Sequence, residues 1–190
     1  AGALGAAELS HPAAGTLTGA GGMAGPRLWN GVTLPPAGRG LVPGGGNVVS
    51  YADALDSAEV SDPSTGTFAA IGRMTTAWRY HTATLLNDGK VLIDGGTEFS
   101  GLPGGAEMYD PSTGTFAATG GMTGSPGPAT LLNNGTVLIA GMDASSFHTA
   151  ELYNPATGPF GLAGVGTVRY QEPDHATLLT NGKILEHLYA

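Results

Sequence analysis

Thr82-Ala83-Thr84-Leu85-Leu86-Asn87-Asp88-Gly89-Lys90-Val91-Leu92-Ile93-Asp94-Gly95-Gly96 is the stretch that decides the fold. Its first five residues form a short β-rich run. Asn87-Asp88-Gly89 tolerates positive φ in a hairpin turn, and Lys90 to Ile93 returns antiparallel. After a variable loop comes Ala106-Glu107-Met108-Tyr109, which Asp110-Pro111-Ser112-Thr113-Gly114 turns back into Thr115-Phe116-Ala117. Pro sets φ early in that turn, and Gly accepts a backbone that a side chain would forbid. No window keeps a helical period for three turns with a cap, so the chain reads as all-β.

Working outward, the same text recurs. Ala-Glu followed at fixed offsets by Pro, Gly and an apolar residue stands at Ala7-Glu8, Ala58-Glu59, Ala106-Glu107 and Ala150-Glu151, at intervals of 51, 48 and 44. Ala-Thr-Leu-Leu before a Gly-containing turn stands at Ala83, Ala129 and Ala176, with a worn copy at Val32-Thr33-Leu34. Two motifs sharing one order and nearly one period mark tandem units of four strands, which is the pattern of a β-propeller blade.

The double glycines Gly44-Gly45 and Gly95-Gly96, the Tyr-Asp/Asn-Pro steps at Tyr109 and Tyr153, the Thr-Gly-x-Phe turns and Arg79-Tyr80-His81 carry a resemblance to the kelch repeat. The form is similar to the bacterial kelch and galactose oxidase-like propeller blades, and it covers nearly the whole chain from Ala7 to Leu185. The expected fold is an all-β propeller of four-stranded antiparallel kelch-type blades. A c–d strand pair over 7–18 opens it, full blades follow over 31–70, 81–118 and 128–162, and an a–b pair over 175–188 closes it. Joined, the two half-blades would make a fourth blade and close a ring by strand exchange, removing two unpaired edges. The resemblance implies six or seven blades, so a two-chain ring or a segment of something longer stay open beside that closure.

Composition narrows the chemistry. Of 190 residues, 33 are Gly and 13 are Pro, yet 41% are hydrophobic, enough for a core and against disorder. Seven basic against fifteen acidic residues leave a net charge of −8, which excludes a nucleic-acid partner by phosphate repulsion. No stretch has the length of a membrane helix. With no Cys there is no disulfide, thiolate site or cysteine nucleophile. The copper radical chemistry that a galactose oxidase resemblance implies needs a Tyr cross-linked to Cys, so the resemblance does not carry that activity. Neither a Gly-x-Ser-x-Gly elbow nor a calcium loop pattern occurs.

Strand direction sorts the loops onto two faces. The a-to-b and c-to-d turns are monotonous. The b-to-c loops vary, and binding residues concentrate on variable loops held by a rigid scaffold. That variable face is expected to gather Arg73, Trp78, Arg79, Tyr80, His81, Glu98, His148, Arg169 and Tyr170 as ligand-binding residues, with Arg27, Trp29, Phe99, Phe147 and His175 nearby. Arg and aromatic rings in a concave site suit carboxylates or sugars. The competing reading has an Arg before the inner strand pairing with Glu59 or Glu107. His81, His148 and His175 do not share a register that would fix a metal, so no metal or other cofactor is expected. The Tyr109/Tyr153 and Phe68/Phe116/Phe160 stripes read as packing between blades.

The expected function is a non-catalytic recognition or structural module for a protein or a polysaccharide, at the cell surface or outside the cell. Two alternatives stand beside it. One is a ring or filament subunit that self-associates through its terminal half-blades. The other is the scaffold part of a larger oxidase- or glycosidase-like propeller enzyme.

Overall fold

The computed structural model describes residues 5–36, 38–46, 54–96, 105–143, 147–169, 173–181 and 183–188. Among them are fifteen strands and no helix: β1 (Ala7–His11), β2 (Thr16–Ala20), β3 (Gly40–Pro43), β4 (Ala58–Asp62), β5 (Thr67–Ala70), β6 (His81–Leu85), β7 (Val91–Gly95), β8 (Ala106–Asp110), β9 (Thr115–Ala118), β10 (Ser125–Leu131), β11 (Val137–Met142), β12 (Phe147–Tyr153), β13 (Phe160–Arg169), β14 (Pro173–Leu178) and β15 (Ile184–Leu188). They form five antiparallel sheets in chain order: β1-β2, β3-β4-β5, β6-β7-β8-β9, β10-β11-β12-β13 and β14-β15. The first strands β6, β10 and β14 are neighbours, with β10 between the other two.

The turns explain the hairpins. Leu86 N–H donates to Lys90 C=O at 2.8 Å, and Gly89 takes a φ of 85°. Between β4 and β5, Asp62 Oδ1 accepts from Ser64 N–H at 2.9 Å, while Gly66 closes the turn at a φ of 68°. Asp110, Ser112 and Gly114 repeat that arrangement between β8 and β9. An Asp side chain holding its own turn is what makes this text recur.

Strand alternation builds the core between sheets rather than within them. From β7, Val91 and Ile93 face the preceding sheet and pack with Leu41, Met74, Trp78 and Tyr109. Leu92 faces the following sheet and packs with Leu86, Val137, Ile139 and Tyr153. The aromatic stripes lie in these interfaces, with Tyr109 on Phe116 at 4.8 Å and Tyr153 on Phe160 at 4.9 Å.

Two expectations need correction, and closure by strand exchange is not seen among the described residues. The unit over 31–70 has three strands, not four, because its first strand is reduced to one bridge between Thr33 and Leu41. Pro35 and Pro36 follow immediately and have no N–H to extend the ladder. The third sheet starts earlier than 128 and extends past 162, with a bulge between Pro126 and Ala129 where two prolines interrupt pairing. The terminal half-units do not join: β1-β2 and β14-β15 are separate two-stranded sheets among the described residues. Each half packs against its sequence neighbour, Gly21 N–H donating to Gly66 C=O at one end and β14 lying along β10 at the other.

Candidate functional site

The crossovers into the three larger sheets are each anchored by a repeated glutamate, Glu59 on β4, Glu107 on β8 and Glu151 on β12. Glu59 accepts from Ala24 N–H at 2.9 Å and from Arg27 Nη2 and Nε at 2.9 and 3.2 Å. Glu107 accepts from Thr75 N–H at 2.6 Å, Thr76 N–H at 2.9 Å and Trp78 Nε1 at 3.0 Å. Glu151 accepts from Thr123 N–H and Oγ1 and from Gly124 N–H, at 3.0, 2.9 and 3.1 Å. All three acids are buried, and their donors come from the segment entering the sheet. A carboxylate with two oxygens facing several N–H groups suits this task, since an unsatisfied buried donor is costly.

The anchored crossovers then present a pair of rings. Trp29 and Tyr80 lie 51 residues apart, at the same repeat position, and each has a φ of 56°. Tyr80 N–H donates to Trp29 C=O at 2.9 Å, which locks the two backbones together. Their rings meet with centroids 5.0 Å apart and planes tilted by 31°. They remain 38% and 48% exposed, so their outer faces are open to solvent. Beneath them lies the buried Arg79, its guanidinium carbon 5.8 Å from the Trp29 ring and 5.6 Å from the Tyr80 ring. Cation–π attraction at that range fixes the platform. Just upstream, a crevice of about 330 Å³ opens between Pro26-Arg27 and Leu55 to Glu59, with Arg73 among its lining residues.

Of the residues expected here, Tyr80 and Arg79 come together, and Trp29 joins them. Arg73 is exposed and donates from Nη1 to Asp56 Oδ1 at 2.5 Å. Trp78 was expected on the ligand face but is buried in the core, because its indole serves Glu107. It is the repeat counterpart of Arg27, so the position that supplies an Arg to Glu59 supplies an indole to Glu107 in the next sheet. His81 is also buried, its Nε2 accepting from Gly31 N–H at 3.4 Å. Burial lowers its pKa to about 4, leaving the ring neutral. His148 is buried on β12, opposite Met142. Arg169 is placed by its backbone, opposite Phe147. Glu98, Phe99 and Tyr170 lie outside the described residues.

Sequence reasoning missed the pairing of Trp29 with Tyr80, although their shared offset from the inner strand was the available signal. Asp94, on β7, is fully buried; Oδ2 accepts from Thr82 Oγ1 at 2.8 Å, and Oδ1 has no hydrogen-bond partner among the described residues. Burial raises its pKa to about 7, against the opposing effect of the Thr82 bond.

No family model matches the chain, and no curated protein matches it. Among solved structures it is similar to a fungal alcohol oxidase of the AA5 family, in complex with copper. The TM-score is 0.66 at 20% identity, covering 87% of this chain and 36% of the oxidase chain. The chain thus spans about a third of that protein, and the likeness shows a shared propeller-like all-β fold alone. Copper does not fit what is described here. No group of three His, Cys, Asp or Glu side chains is assembled among the described residues, and the sequence has no Cys.

Proposed function

We propose that this chain is a recognition module of a surface or secreted protein, binding a polysaccharide on the open faces of Trp29 and Tyr80. The observation that carries the reading is the backbone of the two rings. A φ of 56° in a bulky aromatic residue is strained, and strain of this kind gathers at ligand clamps. Glycine would relieve it at both positions, so fold stability alone does not favour the rings. Solvent-open aromatic faces over a fixed cation suit the apolar face of a sugar, and the low lysine content and net negative charge suit an extracellular surface.

The test is affinity electrophoresis and calorimetry against neutral and uronate-bearing soluble polysaccharides. Wild type is expected to bind one class, and Trp29→Ala with Tyr80→Ala to weaken it about tenfold. Tyr80→Gly is expected to weaken binding about threefold while unfolding no more easily than wild type. Absence of binding to every polysaccharide, or binding indifferent to both rings, overturns the reading.

A second reading follows from the alcohol oxidase likeness: the chain is the supporting part of an oxidase-like propeller whose redox centre lies in other residues. Copper-dependent oxygen consumption with primary alcohols by this chain alone would contradict that division of labour.

A further inference from the structure

Two neighbouring grooves are built on the same repeat positions and finished differently. One lies between β3-β4-β5 and β6-β7-β8-β9 and measures about 390 Å³; the other lies between β6-β7-β8-β9 and β10-β11-β12-β13 and measures about 340 Å³. Both open beside the hairpin turns, at the end of β6 away from Tyr80. Each has a buried tyrosine in its wall, Tyr109 in the first and Tyr153 in the second. The second groove serves its own tyrosine. Thr119 Oγ1 lies 3.0 Å from Tyr153 Oη and donates to Gly158 C=O at 3.4 Å, so the phenol donates to the threonine. In the first groove Ile71 holds that position: its N–H bonds Ala58 C=O at 3.0 Å as Thr119 N–H bonds Ala106 C=O at 2.9 Å. Isoleucine offers no oxygen, and Tyr109 Oη has no hydrogen-bond partner among the described residues. Tyr109 is 3% exposed, with its ring on Phe116, so the core holds an unserved hydroxyl at the groove, and such a group is costly to bury. Burial raises its pKa above the ordinary 10, so it stays a donor.

The rest of the first groove differs as well. Pro35 and Pro36 join Pro111 in its lining, where the second groove has Asp88 and Pro155. Among the described residues its lining holds no carboxylate. Its cation is Arg39, the counterpart of Lys90. Arg39 lies 3.7 Å from Asp62 and its side chain is 61% exposed. An exposed pair at that distance contributes little and leaves guanidinium donors for a second carboxylate. Asp110, next to Tyr109, is already engaged by Lys90 at 3.5 Å and by Ser112 N–H at 2.9 Å.

We propose that the first groove binds a small aromatic carboxylate, its ring on Pro35, Pro36 and Pro111 and its carboxylate between Tyr109 Oη and the Arg39 guanidinium. Prolines and aromatic rings pair readily, as where Pro-rich segments dock aromatic-lined grooves, and here the protein supplies the prolines. The guanidinium has donors only, and the phenol has a proton with no acceptor of its own, so together they select an oxygen anion over a neutral ring. Apolar walls with a few placed polar groups are the usual makeup of a small-molecule site. The second groove, with its hydroxyl satisfied and its cation beside Asp88 and Asp110, is the built-in control.

Calorimetry and heteronuclear NMR with cinnamate, and with cinnamyl alcohol as its uncharged analogue, test the proposal. Cinnamate is expected to bind with a Kd on the order of 1 mM, and the alcohol about tenfold more weakly. The perturbed amide signals are expected to centre on Val60, Ile71 and Tyr109. Tyr109→Phe, which keeps the ring on Phe116, and Arg39→Gln, at an exposed position, are each expected to weaken cinnamate about fivefold with unchanged circular dichroism. Ile71→Thr installs the partner that Tyr153 already has and is expected to weaken binding about threefold. Failure of cinnamate to saturate overturns the proposal, as does equal binding of the alcohol. So do signals perturbed only around Trp29 and Tyr80, or binding that all three variants leave unchanged. Polysaccharide binding by Trp29 and Tyr80 is read separately, on Tyr109→Phe.

Discussion

Glu107 and Asp94 lie on neighbouring strands of one sheet, both about 1% exposed, and the chain provides for them in opposite ways. Glu107 receives two backbone N–H groups and an indole, all from the crossover that enters its sheet. Asp94 receives one hydroxyl, and its second oxygen faces no donor. The difference teaches that burial alone does not define an acid's role here. Where donors converge, the acid organises a crossover; where they are missing, it becomes a proton-binding group.

Removing the well-served acid should have the largest effect. Glu107→Ala strands the buried Trp78 indole N–H and two partly buried backbone N–H groups and should lower stability by about 4 kcal/mol in urea unfolding. A loss under about 1 kcal/mol would mean that the crossover holds without its clamp. Next comes the version of the clamp that uses a cation. Arg27→Met leaves Glu59 with Ala24 N–H and should cost about 3 kcal/mol, because breaking a buried ion pair leaves one charge uncompensated. Equal stability would show that Arg27 is no more than one donor among several.

The poorly served acid should act through pH. Between the ordinary value of 3.8 and about 7 the folded chain keeps a proton on Asp94 that the unfolded chain releases, so this group makes stability fall as pH rises. His81, on the opposite face of the sheet, works the other way. Between 6.5 and about 4 the unfolded chain takes up a proton that the folded ring refuses, so its contribution falls as pH drops. The two slopes oppose each other over pH 4 to 6.5, and each variant should unmask the other. Asp94→Asn should gain about 2 kcal/mol at pH 8 and nothing below pH 4. His81→Gln should leave a profile that declines steadily from pH 4 towards 7. A flat difference between Asp94→Asn and wild type across this range would show that Asp94 does not titrate in the folded chain. The smallest effect belongs to an acid that water already serves. Ser112→Ala, at the exposed Asp110 turn, should move the melting temperature by roughly 2 °C or less.

Much of the fold was legible because the turn chemistry is local. Asn-Asp-Gly and Asp-Pro-Ser-Thr-Gly announce hairpins whatever packs on them, and Val91 to Ile93 alternates between two interfaces as a buried strand must. The first strand of the 31–70 unit failed because Val32-Thr33-Leu34 has β-forming residues but runs straight into Pro35-Pro36. The site was less legible, since exposure is decided by partners far away in sequence. Trp78 and Tyr80 are both aromatic residues before the same strand. One turns inward to Glu107 and the other outward to Trp29, and nothing within Trp78-Arg79-Tyr80-His81 distinguishes them.

The clamps also bear on how such a chain comes apart. β4, β8 and β12 each hold the peptide that has just arrived from the sheet before, so loosening one hairpin deprives its successor's glutamate of ligands. Successive units are thereby locked like overlapping roof tiles, each pinned by the edge of the one laid before. Partial unfolding from the amino-terminal side should therefore travel along the array instead of stopping at a unit boundary.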